Sequence, residues 1–203
     1  MITVDVCEKR FGDTCVLRDL SFELGAGETL AITGPSGVGK TTLLRIVAGL
    51  DLDFEGRVHR PERLAMVFQE PTLLPWRTAR DNLRLAAHVD ADAVDRALAE
   101  VGLKGKENHF PAQLSLGQQR RLALARAFAA QPELLLMDEP FVSLDAPIVE
   151  EMLQLTERLL VAYGVATIFV THSPMEAARL ATRTLRLDAP HTASDAGPNP
   201  SAS

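Results

Sequence analysis

Runs of apolar and β-branched residues near the start of the chain predict short β-strands. They cover residues 2–8, 15–24 and 28–33, and the sequence LGAGE predicts a turn before the third run. A helical pattern follows at TTLLRIVAGL, with Gly49 as its predicted C-cap. This part of the chain is therefore predicted to form a mostly antiparallel β region that leads into a strand, a loop and a helix.

The middle of the chain has a helical pattern between residues 70 and 130. Its apolar residues predict helices over about 78–88, 91–102 and 115–130. Pro132 ends the third of these helices. Apolar runs on either side of the block, at 64–68 and 133–138, are typical of buried strands.

The last third of the chain alternates between helix and strand patterns. Ile148, Met152, Leu155 and Leu159 form an apolar stripe, which predicts a helix over 147–163. A strand is predicted over 165–171, and SPMEAARLA opens a further helix. Because strands and helices alternate, we expect an α/β fold with parallel crossovers. The small, polar and Pro-rich segment 189–203 predicts a disordered tail.

Composition narrows the class of protein without identifying it. The 203 residues suit one domain, or one domain with an inserted subdomain, and 46% of them are hydrophobic. The net charge of −6 argues against nucleic acid as a partner. Cys7 and Cys15 are interpreted as reduced thiols, which favours a reducing, cytoplasmic setting. We expect neither a secretion signal nor a membrane-spanning segment, because the longest apolar runs are short.

The segment GPSGVGKT, residues 34–41, has the spacing of a phosphate-binding P-loop. It lies between a predicted strand and a predicted helix, which is the context that this motif requires. Glycines allow backbone N–H groups to turn towards phosphates, and Lys40 adds a positive charge for the β- and γ-phosphates. Thr41 offers a hydroxyl to Mg²⁺.

An acidic pair follows the buried strand LLLM. Asp138 lies at the end of this strand, where it can hold Mg²⁺, and Glu139 is the candidate base that orients the attacking water. Alone, such a pair could be a solvated strand end. Together with the P-loop it predicts a nucleotide hydrolase, because ligands of such sheets bind at the carboxyl ends of strands.

His172 and Gln69 also follow predicted strands. His172 could contact a γ-phosphate or could be an ordinary turn residue, and its position beside the Asp138 strand favours the contact. Gln69 could ligate Mg²⁺ or the attacking water, or could be an ordinary loop residue. Ser115 and Gln118 have the spacing of a capping box, and the same helix start could also meet an anion.

Taken together, these motifs resemble those of the ATP-binding-cassette (ABC) ATPase subunits. The matching elements occur in the order and approximate spacing of that family, over about residues 2–188: the P-loop, Gln69, LSLGQ (114–118), LLLMDEP (134–140), SLDA (143–146) and His172. The resemblance implies an α/β P-loop NTPase core with an N-terminal antiparallel β region and an inserted α-helical subdomain at about 70–130. One ABC ATPase domain would then occupy residues 1–188, with ATP and Mg²⁺ as cofactors.

The resemblance also assigns roles to individual residues. Phe11 would stack on adenine and Val16 would contact the base, while Asp145 would communicate across a dimer. Two cassettes pair head to tail in this family, so that Ser115 and Gly117 cap the γ-phosphate bound by the opposite P-loop. The residues implied to contact nucleotide are Phe11, Val16, Gly34, Pro35, Ser36, Gly37, Val38, Gly39, Lys40, Thr41, Thr42, Ser115, Gly117, Gln118 and Asp145. The implied catalytic residues are Lys40, Gln69, Glu139 and His172, and the implied metal ligands are Thr41, Gln69 and Asp138.

The implied partners are a second ABC ATPase subunit, membrane permease subunits and a solute-binding protein. The segment 71–83 would meet the permease, which would place the chain on the cytoplasmic face of the membrane. The amino-acid sequence of this segment resembles that of the ATPases of the nitrate, sulfonate and taurine importers. Two departures from the family are expected to matter: Leu116 replaces the first glycine of the signature, and the chain stops soon after residue 188. The alternative hypotheses for the function are a non-transport ABC ATPase and a weakly hydrolysing regulatory subunit.

Overall fold

The computed structural model describes residues 1–87, 90–188 and 192–196. Its β-strands are β1 (Ile2–Phe11), β2 (Thr14–Leu24), β3 (Thr29–Thr33), β4 (Glu55–His59), β5 (Leu64–Val67), β6 (Leu134–Asp138), β7 (Ala166–Val170), β8 (Arg183–Asp188) and β9 (Thr192–Ala196). Its α-helices are α1 (Lys40–Ala48), α2 (Ala79–Ala87), α3 (Ala91–Glu100), α4 (Leu116–Ala129), α5 (Ala146–Tyr163) and α6 (Pro174–Leu180). A 3₁₀ turn at Pro111–Gln113 precedes α4.

The strands form two sheets that share a hydrophobic core. β2, β1 and β4 pair antiparallel, in that order. The second sheet has the order β5-β6-β7-β3-β8-β9, and its pairs are parallel from β5 to β8. Val4, Leu30 and Leu136 of the two sheets are buried in one cluster with Leu44 of α1. The predicted α/β class with an antiparallel N-terminal region is confirmed.

The other face of the parallel sheet packs against α5 and the helical block. α2, α3 and α4 contact one another, and Leu83, Leu98 and Phe128 join the same buried cluster as Met137 and Phe169 of the sheet. The predicted helices are confirmed to within two residues at each end. Gly49 adopts a left-handed conformation with φ of 74° and caps α1, as predicted.

Two strands differ from the sequence-based expectation. The sequence predicts no strand over 55–59, yet β4 pairs with β1 there, although four of its five residues are exposed. Within the tail predicted to be disordered, Thr192–Ala196 instead pairs antiparallel with β8. The open edge of β8 supplies backbone hydrogen bonds that residue composition does not reveal. The rest of 189–203 lies outside the described residues.

Two further expectations concern cysteine and the membrane. Cys7 and Cys15 are both free thiols, in agreement with the sequence-based interpretation. Across the described ranges, none of the helices combines the length and the apolar character needed to cross a bilayer.

Candidate nucleotide-binding site

The candidate site lies where four parallel strands end together. Val67 of β5 is paired with Met137, and Val170 of β7 is paired with both Asp138 and Ile32. The strands β5, β6, β7 and β3 therefore end at one edge of the sheet. The segments that follow them carry Gln69, Glu139, His172 and the P-loop, so the topology brings together the residues that the sequence singles out.

The P-loop bends through glycine conformations. Gly34, Gly37 and Gly39 have φ values of 138°, 80° and 104°, which L side chains rarely adopt. A Cβ at Gly34 would clash with the carbonyl oxygen of Leu187, and one at Gly39 would lie 2.8 Å from Val16 Cγ1. Pro35, Ser36 and Gly37 are exposed at the tip of the loop, and Val38 is half-buried.

The N-terminus of α1 faces this loop without a side-chain cap. Gly39 is its N-cap, no side chain accepts from the first N–H groups, and the first turn contains no acidic residue. The exposed Thr41 and half-buried Thr42 lie in the same turn. N–H groups at the positive end of a helix dipole favour an anion.

Lys40 is buried and folds back across the P-loop. Its Nζ donates hydrogen bonds to the carbonyl oxygens of Gly34 at 2.9 Å and Pro35 at 2.8 Å. The ammonium group is thus held over the concave side of the loop, where it can meet a phosphate.

Thr41 connects the P-loop to β6. Its hydroxyl donates to Asp138 Oδ1 at 3.1 Å. Asp138 is itself buried, and burial raises the pKa of its carboxyl, with the hydrogen bond from Thr41 partly opposing this shift. A buried carboxylate beside a hydroxyl is a site that a cation would stabilise.

The hydroxyl of Thr41 and the carboxylate of Asp138 are oxygen donors, and they fit Mg²⁺ better than a metal whose ligands must all come from the protein. In the part of the chain that the structure describes, no group of three or more His, Cys, Asp or Glu side chains could hold a metal ion. Mg²⁺ characteristically takes one or two protein ligands and completes its shell with water and substrate phosphates. Gln69 is exposed just beyond β5, at the same edge of the sheet.

Glu139 and His172 lie side by side at the ends of β6 and β7. Glu139 Oε2 is 3.8 Å from His172 Nδ1, which is too far for a hydrogen bond. Glu139 has a φ of 46° and its N–H donates to the carbonyl oxygen of Val170 at 3.1 Å. A left-handed conformation is uncommon for glutamate and persists only where surrounding contacts fix it.

Phe11 presents a largely exposed aromatic ring at the end of β1. The residue is 55% exposed, and Lys9 Nζ lies 4.6 Å from the ring centroid. Lys9 is itself buried, and its Nζ donates to Asp51 Oδ1 at 2.9 Å. The side chain of Val16 lies next to Gly39, so this apolar side chain is close to the P-loop.

The start of α4 has the predicted capping box. Ser115 Oγ accepts from the N–H of Gln118 at 3.3 Å, and Gln118 Oε1 accepts from the N–H of Ser115 at 3.1 Å. Gly117 is buried, and a Cβ there would lie 3.1 Å from Ile148 of α5. Leu116 is 43% exposed. Asp145 is exposed at the N-cap of α5 and makes no side-chain cap hydrogen bond.

Two arginines of α4 reach loops of the site and were not singled out from the sequence. Arg120 donates to the carbonyl oxygens of Pro140 and Val142, and Arg126 donates to those of Pro71 and Thr72. The sequence does contain one signal for Arg120, which is its position along the helix. Arg120 lies three residues after Gly117 and four before Leu124, on the buried stripe of the helix, where a charge is unexpected.

A P-loop at the carboxyl edge of a parallel sheet, bonded to an acidic strand end, defines a P-loop nucleotide-binding protein. Comparison with known families narrows this class. The chain belongs to the ABC transporter family, whose family model matches residues 17–142.

Characterised relatives and solved structures agree with this assignment. The chain is 45% identical over 186 residues to the aliphatic sulfonates import ATP-binding protein SsuB 3 of Paraburkholderia xenovorans (strain LB400), covering 91% of this chain and 75% of that protein. It is 42% identical over 190 residues to the corresponding SsuB protein of Granulibacter bethesdensis (strain ATCC BAA-1260 / CGDNIH1), covering 93% and 80%. The ATP-binding cassette MJ0796, a dimer in a post-hydrolysis state with ADP and Pi, superposes with a TM-score of 0.83 at 28% identity, covering 96% and 98%.

A second solved structure supports the fold alone. An inward-facing ABC transporter of metal-chelate type has a TM-score of 0.86 at 24% identity, and the match covers 97% of this chain and 82% of that one.

From the family and its relatives, the chain is an ATP-binding and ATP-hydrolysing subunit of an ABC transporter that uses ATP and Mg²⁺. The resemblance inferred from the sequence is confirmed, and a non-transport role is not favoured.

Proposed function

We propose that this chain powers the import of aliphatic sulfonates through separate membrane subunits. The names of its relatives support the cargo and the direction of transport. The observation that carries the catalytic part is the hydrogen bond from Thr41 to Asp138, with Lys40 and Glu139 adjacent in the chain. A phosphate-binding loop, a metal-binding pair and a base then occupy one edge of the sheet.

Phosphate binding is assigned to the loop and the first turn of α1. The backbone of Gly34, Pro35, Ser36, Gly37, Val38 and Gly39 surrounds the phosphates, and the N–H groups of Lys40, Thr41 and Thr42 point towards them from the helix. Lys40 supplies the positive charge, after exchanging its loop carbonyls for phosphate oxygens. Thr41, Asp138 and Gln69 would hold Mg²⁺, which neutralises charge on the transferring phosphoryl group when bound.

Water activation is assigned to Glu139. Its carboxylate accepts a proton from the attacking water, while His172 and Gln69 orient the water and the γ-phosphate. The position of Glu139 directly after Asp138, at the end of a buried strand, supports this assignment. Because little covalent chemistry is required of the protein, most of the acceleration comes from positioning and electrostatics.

The base of the nucleotide is assigned to Phe11 and Val16. The exposed ring of Phe11 offers a stacking surface, and the side chain of Val16 lies close to Gly39 of the P-loop. Aromatic stacking of this kind contributes about 1–3 kcal/mol for a base.

A second cassette is the proposed partner at the start of α4. Ser115, Gly117 and Gln118 would contact the γ-phosphate bound by the opposite P-loop, and Asp145 would lie at the interface between the subunits. The capped helix start supports this role, because Ser115 is exposed and Gln118 is half-buried, while the buried Gly117 packs against Ile148. ATP then favours the closed dimer by contacts that only the closed state makes.

Permease subunits are the proposed partners of segment 71–83. Trp76 is 68% exposed within it, and tryptophan is a residue type enriched in protein–protein interfaces. The backbone beneath Trp76 is held by Asn82, whose side chain bonds Leu74, Arg77 and Thr78. Arg126 holds the other end at Pro71 and Thr72. A rigid loop that presents an apolar ring is a suitable docking element.

The proposed setting follows from these partners. The chain would bind the cytoplasmic side of the membrane through the permease, and a solute-binding protein would deliver the sulfonate from the other side. Residues 1–188 would form the ABC ATPase domain, with residues 70–130 as its inserted helical subdomain. The grouping of α2, α3 and α4 supports this division.

Glu139→Gln tests the catalytic assignment. The amide keeps the size of the side chain but cannot accept a proton, so we expect ATPase activity to fall on the order of 100-fold or more. Nucleotide affinity should be retained, and ATP should trap a stable dimer, measured by gel filtration with multi-angle light scattering. Glu133→Gln is the matched control, because Glu133 lies on the opposite end of β6 in an exposed ion pair with Arg63.

Wild-type turnover in Glu139→Gln would rule out Glu139 as the base.

The cargo is tested separately. Transporters reassembled from this chain, its permease subunits and a solute-binding protein should show ATPase stimulation by an alkanesulfonate and none by a chain-matched alkyl amine. Equal stimulation by both compounds would exclude sulfonate as the specific cargo.

A further inference from the structure

A buried arginine joins α4 to the segment that follows β6. Arg120 is 6% exposed, and its guanidinium forms two short hydrogen bonds with backbone carbonyls. Nη1 donates to Pro140 at 2.7 Å and Nη2 donates to Val142 at 2.7 Å. These acceptors come directly after Glu139, so the side chain connects the helix that begins at Ser115 with the backbone that carries the proposed base.

The charge of Arg120 is buried without a carboxylate. Its hydrogen bonds go to backbone carbonyls, and among the residues that the structure describes its Nε has no hydrogen-bond partner. Burial lowers the pKa of its guanidinium. The surroundings are apolar, and Leu124, Met137 and Phe141 line the same small cavity. An apolar side chain would pack in this cavity but would leave the carbonyls of Pro140 and Val142 without this donor, so the role of the arginine lies in its hold on that backbone.

The backbone that Arg120 holds is strained at both ends. Glu139 and Ser143 have φ values of 46° and 61°, in the left-handed region. Such conformations persist only where surrounding contacts fix them. The backbone also has two bonds of its own here: the N–H of Glu139 donates to the carbonyl of Val170 at 3.1 Å, and the N–H of Val142 donates to the carbonyl of Glu139 at 3.3 Å. The two bonds from Arg120 lie between the strained residues.

We propose that Arg120 is a positioning residue for ATP hydrolysis. By holding the carbonyls of Pro140 and Val142, it fixes the direction of the Glu139 carboxylate relative to α4. A planar guanidinium can satisfy two carbonyls at once in a fixed geometry, whereas an ammonium group cannot do so with the same directionality. The inference rests on the proposed role of Glu139, and it adds a residue that contacts neither nucleotide nor water.

Substitutions at Arg120 test this proposal in the full chain. Arg120→Met removes both hydrogen bonds but keeps the length of the side chain, and Arg120→Lys keeps the charge. We expect kcat of Arg120→Met to fall about tenfold or more, because small displacements of a catalytic group are costly. KM and the affinity for a non-hydrolysable ATP analogue should change by less than about twofold, since the P-loop is untouched.

Arg120→Lys should recover only part of this loss. The matched control is Arg121→Met on the same turn of α4, because Arg121 pairs with Glu151 at the surface and with the carbonyl of Val101. Its kcat should stay within about twofold of wild type, since an exposed pair contributes little. Retained analogue binding in each variant shows that the chain is folded.

Several outcomes would overturn the proposal. The proposal fails if Arg120→Met has wild-type kcat, or if kcat and analogue affinity fall together. If Arg120→Met does not fold, Arg120→Lys decides, and a wild-type kcat in that variant overturns the inference. Glu139→Gln is measured in parallel. Normal turnover there would remove the basis for both proposals, whereas an inactive Glu139→Gln with a fully active Arg120→Met would refute only the role of Arg120.

Discussion

Leu116 occupies the position where the resemblance leads us to expect the first glycine of the signature. It is the first residue of α4, between Ser115 and the buried Gly117, and 43% of it is exposed. Since Leu116 is not buried within its own subunit, its side chain is available to a facing subunit. In the proposed dimer this is the surface that approaches the opposite P-loop, so the branched side chain would reduce how closely the two subunits meet.

Leu116→Gly should therefore preserve or raise ATPase activity. The change restores the expected glycine and removes side-chain bulk, and its effect on helix stability is at most about 1 kcal/mol. Steady-state ATPase and ATP-dependent dimerisation measure the outcome. Leu116→Ala is the control, because it removes the branched side chain without adding the flexibility of glycine. A sharp loss of activity in both variants would show that Leu116 is a working part of the interface.

At the scale of single residues, the sequence predicts best what a motif specifies completely. The P-loop spacing predicts that Lys40 and Thr41 lie near an acidic strand end, and the Thr41–Asp138 contact agrees with this. Arg120 escapes prediction because its partners are backbone carbonyls, which every residue carries. No sequence pattern indicates which carbonyls a long side chain will reach after folding.

At the scale of elements, α4 has both a stability role and a proposed binding role at one end. Its capping box satisfies backbone groups at Ser115 and Gln118, as the spacing of these residues predicts. The two interpretations of this helix start are compatible, because Ser115 Oγ can accept from the N–H of Gln118 while its O–H donates to a phosphate.

Ser115→Ala separates these two roles. Loss of the cap should lower the free energy of unfolding by about 1 kcal/mol, measured by urea denaturation. Asp90→Ala is the control, because Asp90 caps α3 through Ala93 N at 2.8 Å in a helix that carries no proposed site residue. Both variants should lose similar stability, and only Ser115→Ala should weaken ATP-dependent dimerisation. Equal dimerisation in the two variants would leave Ser115 with a capping role alone.

The strands show where the hydrophobic pattern stops being informative. β6 and β7 are buried throughout, and their apolar runs predict them directly. β4 is charged and mostly exposed, and it forms because β1 offers an unpaired edge. Strands of this kind depend on a distant partner, so the local sequence contains too little information to predict them.

At the scale of the whole molecule, the proposed permease surface lies outside the hydrolysis site. Asn82 and Arg126 hold segment 71–83 from the inside, which leaves Trp76 on the surface. Coupling between transport and hydrolysis would then pass through α4, whose arginines contact both this segment and the backbone after Glu139.

Trp76→Ala should uncouple the two activities. In the isolated chain, ATPase activity and thermal stability should stay close to wild type, because the ring is exposed. With permease subunits present, stimulation of ATPase should be lost, because aromatic anchors contribute much of the energy of an interface. Val161→Ala serves as the control, since Val161 is similarly exposed on α5. Loss of stimulation in both variants, or in neither, would contradict the assignment.

The contact between the Lys9 ammonium group and one face of the Phe11 ring affects which nucleotides the site can distinguish. Because the ammonium group of Lys9 occupies one side of the ring, only the opposite side remains for a base. A phenyl ring has no hydrogen-bonding group, so it recognises the flat surface of a base and does not distinguish its edges. If Phe11 and Val16 are the main contacts, discrimination between adenine and guanine should be weak. The cassette would then accept whichever purine triphosphate is more abundant around it.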